Sequence, residues 1–422
     1  MTTSSTGTAD PSARSAHGLW PVALCWMAIA LDGFDLVVIG AVIPTLKKSG
    51  DLGFTDSSLT LASTIGLVGV MIGAVAIGPV TDRFGRRRAL ISCIAWFSVL
   101  TLAIPLAQDV TQFTVLRFLA GLGLGACLPT ALAFMSEHAS EGRGGTAVTR
   151  TMTGYHVGAV LTALLALVLI EDHGWESMFV VGGVVGLLTL PLLWLKLPES
   201  SSYLAAVEAR DKGETVMTVR SSDVVKGRYL RVSIGLWVAS FMGLLLVYGL
   251  NTWLPTIMGQ AGYSINAGTG LLLTLNLGAV IGLLAAGGLF DARGNKRIVL
   301  LWFGLAAVFL AALSIKIEST ALVYVAVLLA GVFVFSAQVL VYAFVGHLYP
   351  PEIRGTALGM AAGVGRVGAI VGPFLGGALV TAGLAYPWGF YAFALAAALA
   401  VAALSRVPAN LPREQDRQAA AV

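Results

Sequence analysis

Twelve long apolar runs dominate this chain of 422 residues, and each is long enough to cross a membrane as a helix. About 20 apolar residues span the hydrocarbon core of a bilayer, where backbone groups must bond within the protein. Only 11% of the residues are charged, against about 25% in soluble domains. We therefore expect an all-α integral membrane protein. The twelve spans lie near 19–44, 57–80, 88–107, 110–135, 145–170, 175–195, 229–254, 266–290, 297–315, 319–346, 354–382 and 385–405.

The longest polar stretch, residues 196–228, follows the sixth span and divides the chain into two halves of six spans. An internal repeat supports this division, because the pattern from Gly78 to Arg88 recurs in Gly287 to Arg297. Parallel halves with a binding site at the midplane are typical of transporters. The expected units are an N-terminal tail 1–18, a first half 19–195, a linker 196–228, a second half 229–405 and a C-terminal tail 406–422.

Most of the 26 Lys and Arg residues fall in loops on one side of the predicted membrane. Positive loops stay cytoplasmic, so both termini are expected inside, in the inner or plasma membrane. The formal charge of +4 reflects this loop bias, and we expect no binding to nucleic acid. Nucleotide loops and metal-ligand spacings are missing from the sequence, and the three cysteines form no disulfide pattern. We expect no enzyme activity, no cofactor and no metal.

Two carboxylates, Asp32 and Asp35, stand inside the first apolar run. A charge at that depth costs about 2.5–3.5 kcal/mol and is kept only where it faces the protein interior or a wet cavity. Their spacing puts both on one helix face, where burial and mutual repulsion favour protonation of one of them. We expect them to couple transport to protons, with Asp32 as the first choice of carrier. The alternative is that both are structural and are paired with Arg117 or with hydroxyl groups.

Two arginines, Arg117 in the fourth span and Arg366 in the eleventh, share helix faces with glycines and are expected to point inward. A guanidinium is always charged, and its planar fork fits a carboxylate. Either arginine could hold the acid group of a substrate. Equally, Arg117 could be only the counter-ion of Asp32 or Asp35.

The segment from Gly78 to Arg88, Gly-Pro-Val-Thr-Asp-Arg-Phe-Gly-Arg-Arg-Arg, resembles the cytoplasmic signature of the major facilitator superfamily. The resemblance implies that fold, with Asp82 near the start of the eleventh span and the arginines near Glu137. Alternatively, the arginines only anchor the topology. In the second copy Ala292 replaces Arg83, so a gating role there has weaker support. The gating candidates are Gly78, Asp82, Arg83, Gly85, Arg86, Arg87, Glu137, Asp291 and Arg293.

The element Asp32-Gly33-Phe34-Asp35, followed by Gly40 and Pro44, resembles the aromatic acid/proton symporter branch of that superfamily. The resemblance implies import of a benzoate-class or hydroxybenzoate-class acid with protons, by a monomer in the lipid bilayer. A proton-driven efflux pump for hydrophobic drugs and an uncoupled metabolite facilitator or sensor are the alternatives. The candidate substrate contacts are Phe34, Arg117, Tyr155, His156, Trp237, Phe241, Tyr248, Asn251, Gln338, Tyr342 and Arg366.

Overall fold

The computed structural model describes residues 11–212, 221–262, 265–316 and 318–411, and it contains helices but no strands within those ranges. Twelve of the helices are long and apolar enough to cross a membrane. The expected all-α fold with twelve spans is confirmed. The helices are α1 (Pro11–Ser49), α2 (Asp56–Phe84), α3 (Arg86–Ala103), α4 (Val110–His138), α5 (Gly144–His173), α6 (Glu176–Lys196), α7 (Ser201–Asp211), α8 (Gly227–Gln260), α9 (Ile265–Arg293), α10 (Asn295–Ala312), α11 (Thr320–Leu348), α12 (Pro351–Thr381) and α13 (Phe390–Ser405).

Several helices extend beyond the apolar runs that predict them. Helix α1 begins at Pro11 and ends at Ser49, whereas hydropathy alone places the span at 19–44. Polar residues can continue a helix into water, so the apolar run gives only its membrane part. The expected linker 196–228 contains the helix α7 and a short 3₁₀ turn at Ser221–Val225, while its residues 213–220 lie outside the described part. Of the expected C-terminal tail, residues 412–422 also lie outside it.

The two halves, α1–α6 and α8–α13, pair their helices in the same way. In the first half α1 packs on α5, α2 on α4 and α3 on α6. In the second half the equivalent pairs are α8 with α12, α9 with α11 and α10 with α13. The contacts between the halves follow the same symmetry. Helix α2 packs on α12, and their counterparts α9 and α5 pack on each other. The repeat in the sequence is therefore a repeat in space.

Glycines bring the paired backbones into direct contact. A Cβ placed on Gly125 of α4 would collide with the carbonyl oxygen of Val70 on α2. In the second half, a Cβ on Gly331 of α11 would collide with the carbonyl oxygen of Leu275 on α9. Small residues allow this close approach, which is how membrane helices gain packing energy without a hydrophobic driving force.

The substitution Gly125→Ala is expected to lower the stability of the first half by about 1–3 kcal/mol, because the methyl group must push two backbones apart. The measurement is thermal unfolding of the purified protein in detergent. Gly288→Ala is the matched control, because a Cβ there meets no atom within 4 Å and alanine favours the helix by about 0.5–1 kcal/mol. Equal melting temperatures for both variants would contradict the packing argument.

Candidate functional site

Asp82, near the end of α2, caps the first turn of α12 in the other half. Its Oδ1 accepts the backbone N–H of Gly355 at 3.2 Å, and its Oδ2 accepts the N–H of Thr356 at 3.0 Å and the Thr356 hydroxyl at 2.6 Å. Unpaired N–H groups and the helix dipole both favour an anion at this end of a helix. We call this contact the first cross-half cap. The resemblance to the family implies this contact between Asp82 and the start of the eleventh span. Its gating role remains a prediction.

Asp291, near the end of α9, makes the equivalent contact with the start of α5. It accepts the backbone N–H groups of Gly145 and Thr146, each at 2.8 Å, and the Thr146 hydroxyl at 2.6 Å. We call this contact the second cross-half cap. The carboxylate therefore has the same geometry in both copies of the signature, although Ala292 replaces Arg83 in the second copy.

Gly78 and Gly287 lie about one helical turn before the two capping carboxylates. A Cβ on Gly78 would collide with the Cα of Thr356, and a Cβ on Gly287 would collide with the hydroxyl of Thr149. These two positions have no room for a side chain, which explains why the signature places glycine there in both copies. The capped helix starts can then lie directly against α2 and α9.

Arg86 strengthens the first cross-half cap from the first turn of α3. Its Nη2 lies 3.1 Å from Asp82 Oδ1 and 3.1 Å from Glu137 Oε1, and the guanidinium is buried. Glu137 also accepts hydrogen bonds from the hydroxyls of Ser200 and Ser202, which attach the start of α7 to the end of α4. The second cross-half cap has Asn295 where the first has Arg86.

The remaining gating candidates lie outside the two caps. Arg83 and Arg293 are exposed, and the structure does not bring either guanidinium to a capping carboxylate. Arg87 donates its backbone N–H to Glu199 at 3.0 Å and its side chain to the carbonyl of Trp194. Gly85 joins α2 to α3 with φ of +95°, a conformation that favours glycine. Arg83, Arg87 and Arg293 are thus placed at the surface of this basic end of the bundle.

Asp35 and Arg117 form a buried ion pair within the first half. Arg117 Nη1 lies 3.0 Å from Asp35 Oδ2, and the Thr101 hydroxyl lies 3.5 Å from Oδ1. Both side chains are at most 8% exposed, so neither charge is free to leave its partner for water. In the structure Arg117 is the counter-ion of Asp35, so in this conformation it is not free to hold a substrate carboxylate.

Arg366 makes a different contact, near the middle of α12. Its Nη1 donates to the hydroxyl of Tyr248 on α8 at 2.8 Å, and this hydroxyl lies 3.4 Å from that of Tyr155 on α5. The two tyrosines therefore connect Arg366 to the first half. Arg366 is 6% exposed, so this hydrogen-bond chain between the halves is buried.

Asp32 has neither an ion pair like that of Asp35 nor a hydrogen bond like that of Arg366 among the described residues. Its side chain is 0% exposed, and neither oxygen has a hydrogen-bond partner among the described residues. The charged groups close enough to act on it are Arg366 and Asp35. The two aspartates of one motif thus differ, because Asp35 has a full counter-ion and Asp32 has none in direct contact.

A small cavity of about 90 Å³ lies beside these groups. Its lining includes Asp35, Arg117, Ser63 and Gly66 of the first half, together with Tyr248 of the second half. Ordinary small-molecule pockets measure about 300–1,000 Å³. The cavity is therefore too small for a ring acid in this conformation.

Two other candidates in the first half lie away from this cavity. Phe34 packs into an apolar cluster with Phe179, where its ring fills the space beside Gly182 of α6. In this conformation the Phe34 ring faces α6, and its role as a substrate contact stays a prediction. His156 is buried, with its ring centroid 5.7 Å from that of Phe335 on α11. It lies at the contact between the halves.

The candidates of the second half form two polar clusters. Gln338 Nε2 donates to the hydroxyl of Ser240 at 3.2 Å, and Tyr342 is buried one helical turn after Gln338 on α11. Asn251 accepts a hydrogen bond of 3.1 Å from Asn276. Trp237 and Phe241 are partly buried against the apolar core.

Sequence reasoning missed Thr101, Ser240 and Asn276. Each is a neutral polar residue inside an apolar span, and each bonds to a residue that the sequence did single out. The signal that selected the aspartates, a polar group in hydrocarbon, is also present at these positions, although it is weaker without a charge.

Two matched six-helix halves, joined at both cross-half caps and with buried charged groups near their contact, are the architecture of a membrane transporter. The chain belongs to the Major Facilitator Superfamily, whose family model matches residues 25–289 and 266–421. It is thus a multi-pass membrane transporter and not an enzyme.

Curated relatives agree with the aromatic acid branch of that family. The chain is 37% identical over 394 residues to a gentisate transporter of Corynebacterium glutamicum, covering 93% of this chain and 88% of the relative. It is 33% identical over 407 residues to a gallate transporter of Pseudomonas putida, covering 90% of each. A proton:xylose symporter, XylE, shares the fold with a TM-score of 0.76 at 18% identity, over 93% of this chain and 96% of XylE.

Asp82→Asn and Asp291→Asn are each expected to loosen the capped helix start, since hydrogen bonds to a charged group contribute about 1.5–3 kcal/mol. Amide exchange at Gly355 and Thr356 should rise roughly tenfold in Asp82→Asn, and exchange at Gly145 and Thr146 should rise in Asp291→Asn. Mass-spectrometric hydrogen exchange measures both. Arg88→Gln, an exposed change in the same signature, is the control. Unchanged exchange in the aspartate variants would show that the caps do not hold these helices.

Proposed function

We propose that this chain imports an aromatic carboxylate together with protons across the cell membrane by alternating access. The observation that carries the proposal is Asp32, fully buried without a hydrogen-bond partner in the described residues and within electrostatic range of Arg366. The names of the relatives, gentisate and gallate transporters among them, support the class of substrate. A further relative, 31% identical, is a benzoate transport protein of Acinetobacter baylyi.

Arg366 is the residue to which we assign the carboxylate of the substrate. Arg117 is already neutralised by Asp35, whereas within the described ranges the hydrogen-bond partner of Arg366 is a neutral tyrosine hydroxyl. An incoming carboxylate gains a charge-assisted bidentate pair at Arg366, which is stronger than a bond to a phenol. The aromatic rings of Tyr248 and Tyr155 lie beside it, where the planar ring of the acid can stack.

Asp32 is the residue to which we assign the proton. An isolated carboxylate buried in a low dielectric is held best in its neutral form, because hydrocarbon and packed side chains solvate charge poorly. Protonation also removes a negative charge from the surroundings of Arg366, which favours the arrival of an anion there. This order, proton before acid, couples the two without any direct contact between them. Asp35 serves as the structural counter-ion of Arg117.

The basic end of the bundle, which carries both cross-half caps, is assigned to the cytoplasm together with both termini. With the caps formed, the halves are held together at that end, and the cavity beside Asp35 and Arg117 is closed from the cytoplasm. Uptake then requires the caps to break after the acid has entered from the opposite side.

Uptake of labelled gentisate into proteoliposomes tests the proposal, with benzoate, gallate and 4-hydroxybenzoate as competitors. An inward proton gradient should drive accumulation above the outside concentration, and an uncoupler should abolish it. Accumulation that ignores the gradient would instead support an uncoupled facilitator. Outward movement of a hydrophobic cation would support an efflux pump.

Asp32→Asn is expected to abolish accumulation driven by the proton gradient while leaving folded protein in the membrane. Asp35→Asn should act differently, since it leaves Arg117 as an unpaired buried charge and costs about 3–5 kcal/mol of stability. The measurements are proton-driven uptake and the melting temperature of each purified variant. Wild-type accumulation in Asp32→Asn would reject the assignment of the proton carrier.

Arg366→Ala is expected to weaken binding of the acid much more than Arg366→Lys. Lysine keeps the charge but loses the planar fork. Arg366→Lys should therefore bind the acid about 1–2 kcal/mol more weakly than the wild type and about 1–2 kcal/mol more tightly than Arg366→Ala. Equilibrium binding of labelled gentisate to the purified protein measures the three affinities. Identical values for the wild type and both variants would show that Arg366 does not contact the acid.

A further inference from the structure

Asp32 and Arg366 lie in the same buried region and within electrostatic range of each other, yet neither oxygen of Asp32 has a hydrogen-bond partner among the described residues. Each is at most 6% exposed. Opposite charges removed from water attract strongly, so Asp32 attracts the guanidinium whenever it is ionised. That attraction competes with the contact that Arg366 already makes.

That competing contact is the hydroxyl of Tyr248. It lies 2.8 Å from Arg366 Nη1 and 3.4 Å from the hydroxyl of Tyr155. A phenol that accepts from the guanidinium can donate its own proton to the second phenol, and such chains strengthen each member. The guanidinium is thus held by a hydrogen-bond chain that ends on α5 of the other half.

The far end of this chain is fixed by backbone packing. A Cβ on Gly33 would collide with the carbonyl oxygen of Tyr155, so α1 and α5 lie in direct contact at this level. Gly33 is the residue next to Asp32 in the chain. The same packing that places Asp32 therefore also fixes the position of Tyr155.

We propose that Tyr248 is a positioning residue: its hydroxyl holds Arg366 away from Asp32, so that the guanidinium stays free to receive the carboxylate of the substrate. The proposal rests on the proposed function, in which Arg366 binds the acid. Without the hydroxyl, Arg366 turns to ionised Asp32 and forms the missing ion pair. That ion pair must then be broken, by protonation of Asp32, before the carboxylate of the substrate can bind the fork, so the apparent affinity for the acid falls.

Tyr342 shows that the contact is specific to Tyr248. It is a buried tyrosine within electrostatic range of Arg366, but among the described residues its hydroxyl has no hydrogen bond with the guanidinium. In the described part of the chain, the Tyr248 hydroxyl is the hydrogen-bond partner of Arg366. The other groups that face Arg366 electrostatically are Asp32, Tyr155 and Tyr342.

A double-mutant cycle between positions 248 and 32 tests the proposal. Tyr248→Phe should weaken equilibrium binding of labelled gentisate to the purified full-length protein about tenfold. In the Asp32→Asn background, which has no competing charge, the same change should weaken binding less than about twofold. Tyr324→Phe, a half-buried tyrosine on α11 next to Gly270, is the matched control and should leave binding unchanged in both backgrounds.

Equal weakening in both backgrounds would overturn the proposal, because it would mean that the hydroxyl contacts the acid directly. Unchanged binding in Tyr248→Phe would overturn it as well. If Tyr248→Phe does not fold, Tyr155→Phe removes the other end of the chain and should give a smaller loss with the same dependence on Asp32. Failure of the proposed function looks different, since Asp32→Asn would then still accumulate the acid against its gradient.

Discussion

Charged side chains inside a bilayer must find their partners within the protein, because hydrocarbon does not solvate an ion. Most of the buried charges described here obey this rule by direct contact. Arg117 pairs with Asp35, and Arg86 lies between Asp82 and Glu137. Asp32 has no such contact, so its environment favours a change of charge state over a permanent ion pair. This contrast is the basis for proposing that the paired charges are structural and that Asp32 carries the proton.

The same constraint shapes the end of the bundle where the two signature loops lie. A carboxylate there is partnered by the N-terminus of a helix from the other half, which supplies two N–H groups and a hydroxyl. The arrangement needs no basic residue, which is why the second copy keeps the contact although Ala292 replaces Arg83. The two copies thus share the backbone geometry of the cap, while the charges around it differ.

Hydropathy and the repeat were enough to predict twelve spans in two halves, because the period and length of apolar runs are local properties of the sequence. The first cross-half cap followed from the resemblance to a family. The partner of Arg117 could not be decided, since helix periodicity gives the face of a residue but not the rotation of that helix against its neighbours. Phe34 shows the same limit, because one residue beyond Gly33 the helix surface already faces α6.

The neutral residues were missed for a different reason. Thr101 and Asn276 carry no charge, and a serine, threonine or asparagine can bond to the carbonyl four residues earlier in its own helix, as Asn276 does with Leu272. Their position in an apolar span is therefore compatible with a residue that has no role in a site. Only the three-dimensional arrangement distinguishes the two cases.

The two cross-half caps stand on opposite flanks of one seam, and each joins a carboxylate from one half to a helix from the other. Under the proposed alternating access, separating the halves at this end breaks both caps, so we expect their energies to add in one activation barrier, where every 1.36 kcal/mol slows the step by about tenfold. The rate of turnover would then be set far from the bound substrate, by two carboxylates that hold backbone amides.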